Sequence, residues 1–112
     1  EFLSIGAKEE RLKMEIFRKE WGPEDDPYGT IINATILDDG SLRIDGTDYG
    51  ASARGFSGSD DYEYGLHINA DDVPAFAVQL LKRSFNLRGQ LNFSKVQKVC
   101  TNGGIPVKDW YF

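Results

Sequence analysis

Residues 30–49 read TIINATILDDGSLRIDGTDY and decide the fold of this 112-residue chain. In residues 30–37, Ile32, Ala34 and Ile36 fall on one face at strand spacing, and apolar or small residues alternate with polar ones in residues 42–47 beyond an acidic Asp39-Gly40 pair. Two alternating runs around such a turn signal predict a β-hairpin. The inward-facing members of the pattern are Ile32, Ala34, Ile36, Leu42, Ile44 and Gly46.

Two further strands are predicted outside this hairpin. Residues Lys13–Trp21 place apolar side chains among charged neighbours and predict a first strand. In DYEYGLHIN (61–69), every second residue from Tyr62 to Ile68 is apolar or aromatic, which is typical of a half-buried strand. Four strands with short connections imply an antiparallel sheet.

The hydrophobic period then changes to that of a helix. Apolar residues between Val73 and Phe85 fall at helical spacing, and Asp71 or Asp72 is expected to cap this helix. A second helix is predicted over Phe93–Cys100, and the glycines that follow it are expected to end it. The predicted class is α+β: an antiparallel sheet of about four strands followed by two helices packed on one face.

The first thirteen residues, EFLSIGAKEERLK, are consistent with a cloning remnant. Glu1-Phe2 can be encoded by an EcoRI site, and Lys8-Glu9-Glu10 by a purine-rich ribosome-binding sequence upstream of Met14, the single methionine. We expect residues 1–13 to be a translated leader or cloning remnant, and residues 14–112 to form a single α+β domain.

Charge is distributed unevenly along the chain, whose formal net charge is −5. Residues 15–72 hold fourteen acids against four bases, and residues 73–112 hold one acid against six bases. The acidic part argues against nucleic-acid binding, which needs clustered Lys and Arg, and favours a protein partner with a basic surface. A solvated acidic surface that only keeps the protein in solution is the alternative.

Residues for catalysis or metal binding are sparse. His67 is the single histidine and Cys100 the single cysteine, no G-x-S-x-G motif is present, and the acidic pairs lack the EF-hand spacing. We therefore expect no catalytic residues, no metal and no cofactor. No apolar run has the length of a membrane span or a signal-peptide core, so a cytoplasmic protein without a membrane partner is expected.

Two sets of residues are candidates for binding. The first is a partner-binding surface made of Asp25, Asp60, Asp61 and Glu63, with Phe56 of the glycine-rich stretch as an aromatic anchor.

The second set belongs to the alternative function, a small-ligand binder or enzyme with a pocket between sheet and helices. It comprises Tyr62, Tyr64, His67 and Trp110, with His67 as the general base. The competing interpretation of Tyr62 and Tyr64 is that they pack against the helices. Association of the chain with itself, through a strand edge or the aromatic tail, is compatible with either function.

The segments DDGSLRIDGTDYG, DYEYGLHINADDVPAFAVQLLKRSF and GIPVKDWYF resemble a group of small uncharacterised bacterial proteins. The group shares a DG.L.I.G.D.G pattern, an acidic YEY strand, a helix and a terminal aromatic W. Some of its members look like immunity proteins, which are acidic antitoxins that bind and block a toxin, and others look like products of mobile gene cassettes. The resemblance spans Met14 to Phe112. The acidic half, the sparse catalytic residues and the glycine-rich stretch beside aromatic residues predict a non-enzymatic acidic protein-binding module, to which the resemblance adds the immunity-protein class.

Overall fold

The hairpin predicted from residues 30–49 is the centre of the sheet. The computed structural model describes residues 9–50 and 61–108. In it, β2 (Tyr28–Leu37) pairs antiparallel with β3 (Leu42–Tyr49), in a register that runs from Ile36 opposite Leu42 to Gly29 opposite Tyr49.

The turn between these strands is closed by both backbone and side chain. The Leu37 N–H donates to the Ser41 carbonyl at 2.9 Å. The carboxylate of Asp39 accepts from the N–H of Ser41 at 2.9 Å and from its hydroxyl at 2.6 Å. An Asp side chain that bonds the chain two residues later fixes a turn, which is why this acidic pair predicted it correctly.

Outer strands flank the hairpin on both sides. β1 (Glu10–Trp21) pairs antiparallel with β2, and β4 (Asp61–Ile68) pairs antiparallel with β3, so the strand order is β1-β2-β3-β4. The β1–β2 register shifts twice, between Glu10 and Leu12 and between Glu15 and Phe17. β1 begins inside the segment expected to be a leader, so the expected boundary at Met14 is not a boundary of secondary structure.

Two helices follow the sheet, as predicted. Asp71 and Asp72, expected as helix caps, instead belong to a 3₁₀ turn (Ala70–Asp72) that leads into α1 (Val73–Asn86). The second helix, α2 (Phe93–Asn102), is capped by Asn92, whose side chain accepts from the Lys95 N–H at 2.9 Å. It ends at Gly103, whose N–H donates to the Val99 carbonyl at 3.0 Å. The α+β class, with four antiparallel strands before two helices, is confirmed.

The chain divides into two compact units, Glu1–Val73 and Pro74–Phe112. In the first, the described residues with the least exposed side chains gather near the β2–β3 turn and are Thr35, Leu37, Ser41 and Leu42. In the second, the rings of Phe85 and Phe93 meet edge to face, with centroids 5.9 Å apart. No helix among the described residues combines the length and the apolar character needed to cross a membrane.

Candidate functional site

The register of the strands sorts their side chains onto two faces of opposite character. One face, called here the apolar face, has apolar or aromatic side chains on all four strands. Its members are Leu12, Met14, Phe17 and Trp21 of β1, Tyr28, Ile32, Ala34 and Ile36 of β2, Leu42 and Ile44 of β3, and Tyr62, Tyr64, Leu66 and Ile68 of β4.

The other face, called here the acidic face, carries the charge. Of the strand residues that the register places on this face, six are carboxylates and three are bases, which gives a net charge of −3 with His67 neutral; Arg11 lies at the first register shift and is assigned to neither face. The carboxylates are Glu10, Glu15, Glu20, Asp45, Asp61 and Glu63, and the bases are Lys13, Arg18 and Arg43. Successive side chains of a strand point to opposite sides of the sheet, so alternating apolar and polar residues give one apolar and one polar face.

Two of the three bases are already bound to carboxylates of this face. The Arg18 guanidinium donates to Glu15 at 2.8 Å, and this hydrogen bond lowers the pKa of Glu15 and raises the pKa of Arg18. The Arg43 Nη2 lies 3.4 Å from a Glu10 oxygen, and its Nε lies 3.5 Å from an Asp45 oxygen. The second of these Arg43 contacts is an ion pair without hydrogen-bond geometry. Two arginines against three carboxylates leave one negative charge around Glu10, Glu15 and Asp45, and Lys13, in the same row as Arg43, balances it.

The excess negative charge therefore lies towards the opposite end of the face. There Glu20, Gly29, Tyr49 and Asp61 stand side by side across the four strands. Glu63 follows in the next row that faces the same way, is exposed, and has no ion-pair partner within residues 9–50 and 61–108.

The Tyr49 hydroxyl joins this row of acids. It donates to the Glu20 carboxylate at 2.5 Å, which raises the pKa of Tyr49, with loss of hydration as a smaller cause. The ring can cross β2 to reach Glu20 because Gly29, between the two residues, has no side chain. Glu20, Tyr49, Asp61 and Glu63 are called here the acidic end, and the loop that carries Asp25 leaves the sheet at the same end.

An open cleft of about 500 Å³ lies next to the acidic end. Its lining offers two carboxylates, an amide and two hydroxyls, which accept hydrogen bonds, and the ammonium group of Lys13, so the charged side chains of the lining sum to −1. The lining residues are Lys13, Asn33, Asp45, Gly46, Thr47, Glu63 and Tyr64. Within the described part of the chain, no three His, Cys, Asp or Glu side chains are grouped so that they could hold a metal ion.

No protein-family model, curated protein or solved structure matches this chain. The resemblance to immunity-type and cassette-type proteins therefore stays a prediction. The function has to be argued from the charge and geometry of the surface itself.

The predicted partner-binding residues that the structure describes lie at one end of the sheet, with Asp25 on the β1 side and Asp61 and Glu63 on the opposite edge strand. Asp61 and Glu63 lie on the acidic face, two positions apart on the edge strand β4. Asp25 is exposed in the β1–β2 loop at the same end of the sheet. Phe56 and Asp60 lie outside the described residues.

The predicted pocket residues are not brought together. Tyr62 and Tyr64 lie on the apolar face with ring centroids 5.8 Å apart, whereas His67 lies on the acidic face opposite Arg43. Successive residues of a strand point to opposite sides, so the side chain of His67 lies on the other face of the sheet from both tyrosines. Trp110 lies outside the described residues.

Sequence analysis missed Glu20 and Tyr49 as site residues. The signal for Tyr49 was available, because extending the hairpin alternation past Thr47 places it on the same face as Asp45. Glu20 could not be assigned to a face in the same way. The bulge between Glu15 and Phe17 shifts the inward and outward positions of β1 by one residue, so it changes the face on which Glu20 lies. The local sequence contains no signal that predicts this bulge.

The hydrogen bond of Tyr49 predicts a measurable titration. Replacing its acceptor, Glu20→Gln, should bring the pKa of Tyr49 down towards the ordinary tyrosine value, because the acceptor no longer carries charge. Because the pKa of Tyr49 is higher in the folded state than in the unfolded state, its hydrogen bond stabilises the fold fully at pH values below the unfolded-state pKa. This stabilisation is lost as the pH rises through the folded-state pKa. Carbon NMR of ring-labelled tyrosine measures the change, with Tyr64 as an internal control. An unchanged Tyr49 titration would contradict the bond.

Proposed function

We propose that this chain is a non-enzymatic protein-binding module that uses the acidic end and the neighbouring cleft to bind a protein with a basic surface. The observation that supports this most is the separation of charge within one face. Lys13 and Arg43 lie three rows from the Glu20–Asp61 row, and Arg18, in the row next to it, is already paired with Glu15, so the negative charge of Glu20 and Glu63 is only partly compensated.

Such a surface fits a cationic partner for two reasons. Complementary charge steers two proteins together over distances near the Debye length, about 8 Å at physiological ionic strength, and it disfavours acidic competitors. The Tyr49 ring between Glu20 and Asp61 adds an aromatic contact with a polar edge, the type of residue that contributes most at interfaces. An immunity protein, which occupies the basic site of a nucleic-acid-cleaving toxin, is the functional class that these features and the resemblance favour.

The test uses the full chain as bait for partners from its source organism, at low and at high salt, with mass spectrometry to identify what binds. The proposal expects one basic protein that binds in near-stoichiometric amount and is released at high salt. Titration calorimetry of the purified pair then gives the affinity that charge-reversal variants are compared with.

Charge reversal at the acidic end should weaken this pair. We expect Asp61→Lys with Glu63→Lys to reduce the affinity at least tenfold, because attraction becomes repulsion at the centre of the contact. Asp71→Lys with Asp72→Lys makes the same change of net charge in the exposed 3₁₀ turn, near the other end of the sheet, and should reduce affinity much less. Equal losses in the two double variants would show that only total charge matters and would reject the acidic end as the binding surface.

A further inference from the structure

The apolar face leaves large side chains open to solvent. Seven of them are between 40% and 68% exposed, and they stand on the two outer strands: Leu12, Met14, Phe17, Trp21, Tyr62, Tyr64 and Leu66. On the inner strands the same face carries Ile32, Ala34, Ile36, Leu42 and Ile44, which are less exposed than these outer residues.

The area of this face matches that of a stable interface. At these exposures each of the seven side chains leaves on the order of 100 Å² accessible, so together they offer roughly 700 Å². Specific protein–protein interfaces bury about 800 Å² on each partner, and an exposed apolar patch of this size on a monomer marks an interaction site.

Charge on the apolar face is balanced, in contrast to the acidic face. The described strands place two charged residues on it, Lys19 and Asp48, which lie in one row with Thr30 between them. Both charged groups already have a partner within the chain. The Lys19 ammonium lies 5.2 Å from the centre of the Trp21 ring, and the Asp48 carboxylate accepts from Thr30 at 2.7 Å and from Tyr64 at 3.1 Å.

We propose that the apolar face is the interface of a homodimer, in which two copies of the chain pack their sheets face to face as a sandwich. A face without net charge does not repel its own copy, whereas two acidic faces, each with a net charge of −3, would repel each other. In a two-fold arrangement the same surface serves both copies, so the Lys19 and Asp48 residues of the two copies together leave the interface without net charge. Aligned packing of two antiparallel sheets buries side chains of this kind as a shared core.

This inference leaves the acidic face accessible, so it is independent of the proposed function. The competing occupant of the apolar face is the pair of helices α1 and α2 of the same chain, as the sequence predicted. The experiment must therefore separate a second copy from coverage within one chain.

Two measurements together distinguish a second copy from coverage within one chain. Light scattering gives the oligomeric state, and the rate of Met14 oxidation reports whether the apolar face is covered. Met14 is the single methionine and is 55% exposed, so in a Cys100→Ser background peroxide adds one oxygen that mass spectrometry assigns to this residue. We expect a dimer in which Met14 is oxidised at least fivefold more slowly than in a monomeric variant.

Leu66→Lys supplies that variant, and His67→Lys is its matched control. The two residues are neighbours on β4 and point to opposite faces, and both are exposed. Leu66→Lys should raise the dimer dissociation constant at least tenfold, and His67→Lys should leave it unchanged. Circular dichroism checks that each variant is folded.

The results that would overturn the proposal are distinct. If the wild-type chain is a monomer and Met14 is oxidised slowly, the apolar face is covered by the same chain. If it is a monomer and Met14 is oxidised fast, the apolar face is exposed. A dimer that oxidises Met14 as fast as a monomer has its interface elsewhere. If Leu66→Lys fails to fold, a wild-type concentration series replaces it, and Met14 protection must then rise together with the dimer fraction.

Discussion

Gly50→Ala is expected to lower the free energy of unfolding by about 3 kcal/mol. Gly50 directly follows β3 in a left-handed conformation with φ of +73°. A Cβ at this position would overlap the backbone carbonyl oxygen of Pro27 and would lie 2.9 Å from the Tyr28 Cα. Because both obstacles are backbone atoms, no side-chain rotation relieves the overlap, and the β1–β2 loop or the end of β3 has to move.

The measurement is urea unfolding followed by circular dichroism, with Gly89→Ala as the control. Gly89 has nearly the same backbone angle, φ of +75°, but no atom within 4 Å of a built Cβ. Its substitution should cost about 1 kcal/mol, the cost of the left-handed conformation alone. Equal losses at the two positions would show that the contact with Pro27 and Tyr28 contributes nothing.

Gly29→Ala is expected to cost between about 2 and 4 kcal/mol and to disturb the acidic end at the same time. Gly29 is buried in β2 between Glu20 and Tyr49. A Cβ there would overlap the Lys19 carbonyl oxygen of β1 and would lie 2.8 Å from the Tyr49 hydroxyl. The substitution therefore pushes β1 away from β2 and displaces the tyrosine from Glu20.

Gly65→Ala is the matched control on the acidic face. Gly65 lies in the outer strand β4, where the nearest atom to a built Cβ is the Ile44 carbonyl oxygen at 3.2 Å. A shift of a few tenths of an ångström accommodates it, so we expect a change of less than about 1 kcal/mol in either direction. Urea unfolding gives both free energies, and the Tyr49 titration shows whether its bond to Glu20 is lost. A Gly29 variant as stable as the Gly65 variant would contradict the close approach of β1 and β2.

The candidate site was predictable where it follows the strand period. Asp61 and Glu63 alternate with two tyrosines in DYEYGLHIN, so their common face follows from the sequence pattern alone. The same rule separates His67 from Tyr62 and Tyr64, and it therefore argues against the predicted pocket. Local alternation fixes which residues share a side, and it does not show which strands become neighbours.

The sequence by itself determined the central hairpin, the alternation of β2, β3 and β4, the two helices and the glycine stop after α2. Each of these depends on residues within a few positions of one another, through turn chemistry, strand period and helix capping. The tertiary structure alone decided that β1 begins at Glu10 and bulges after Glu15, and that Glu20 faces Tyr49 across Gly29. Those features arise from pairing between strands far apart in sequence, and the register of such a pairing is set by packing and backbone hydrogen bonds along the whole strand.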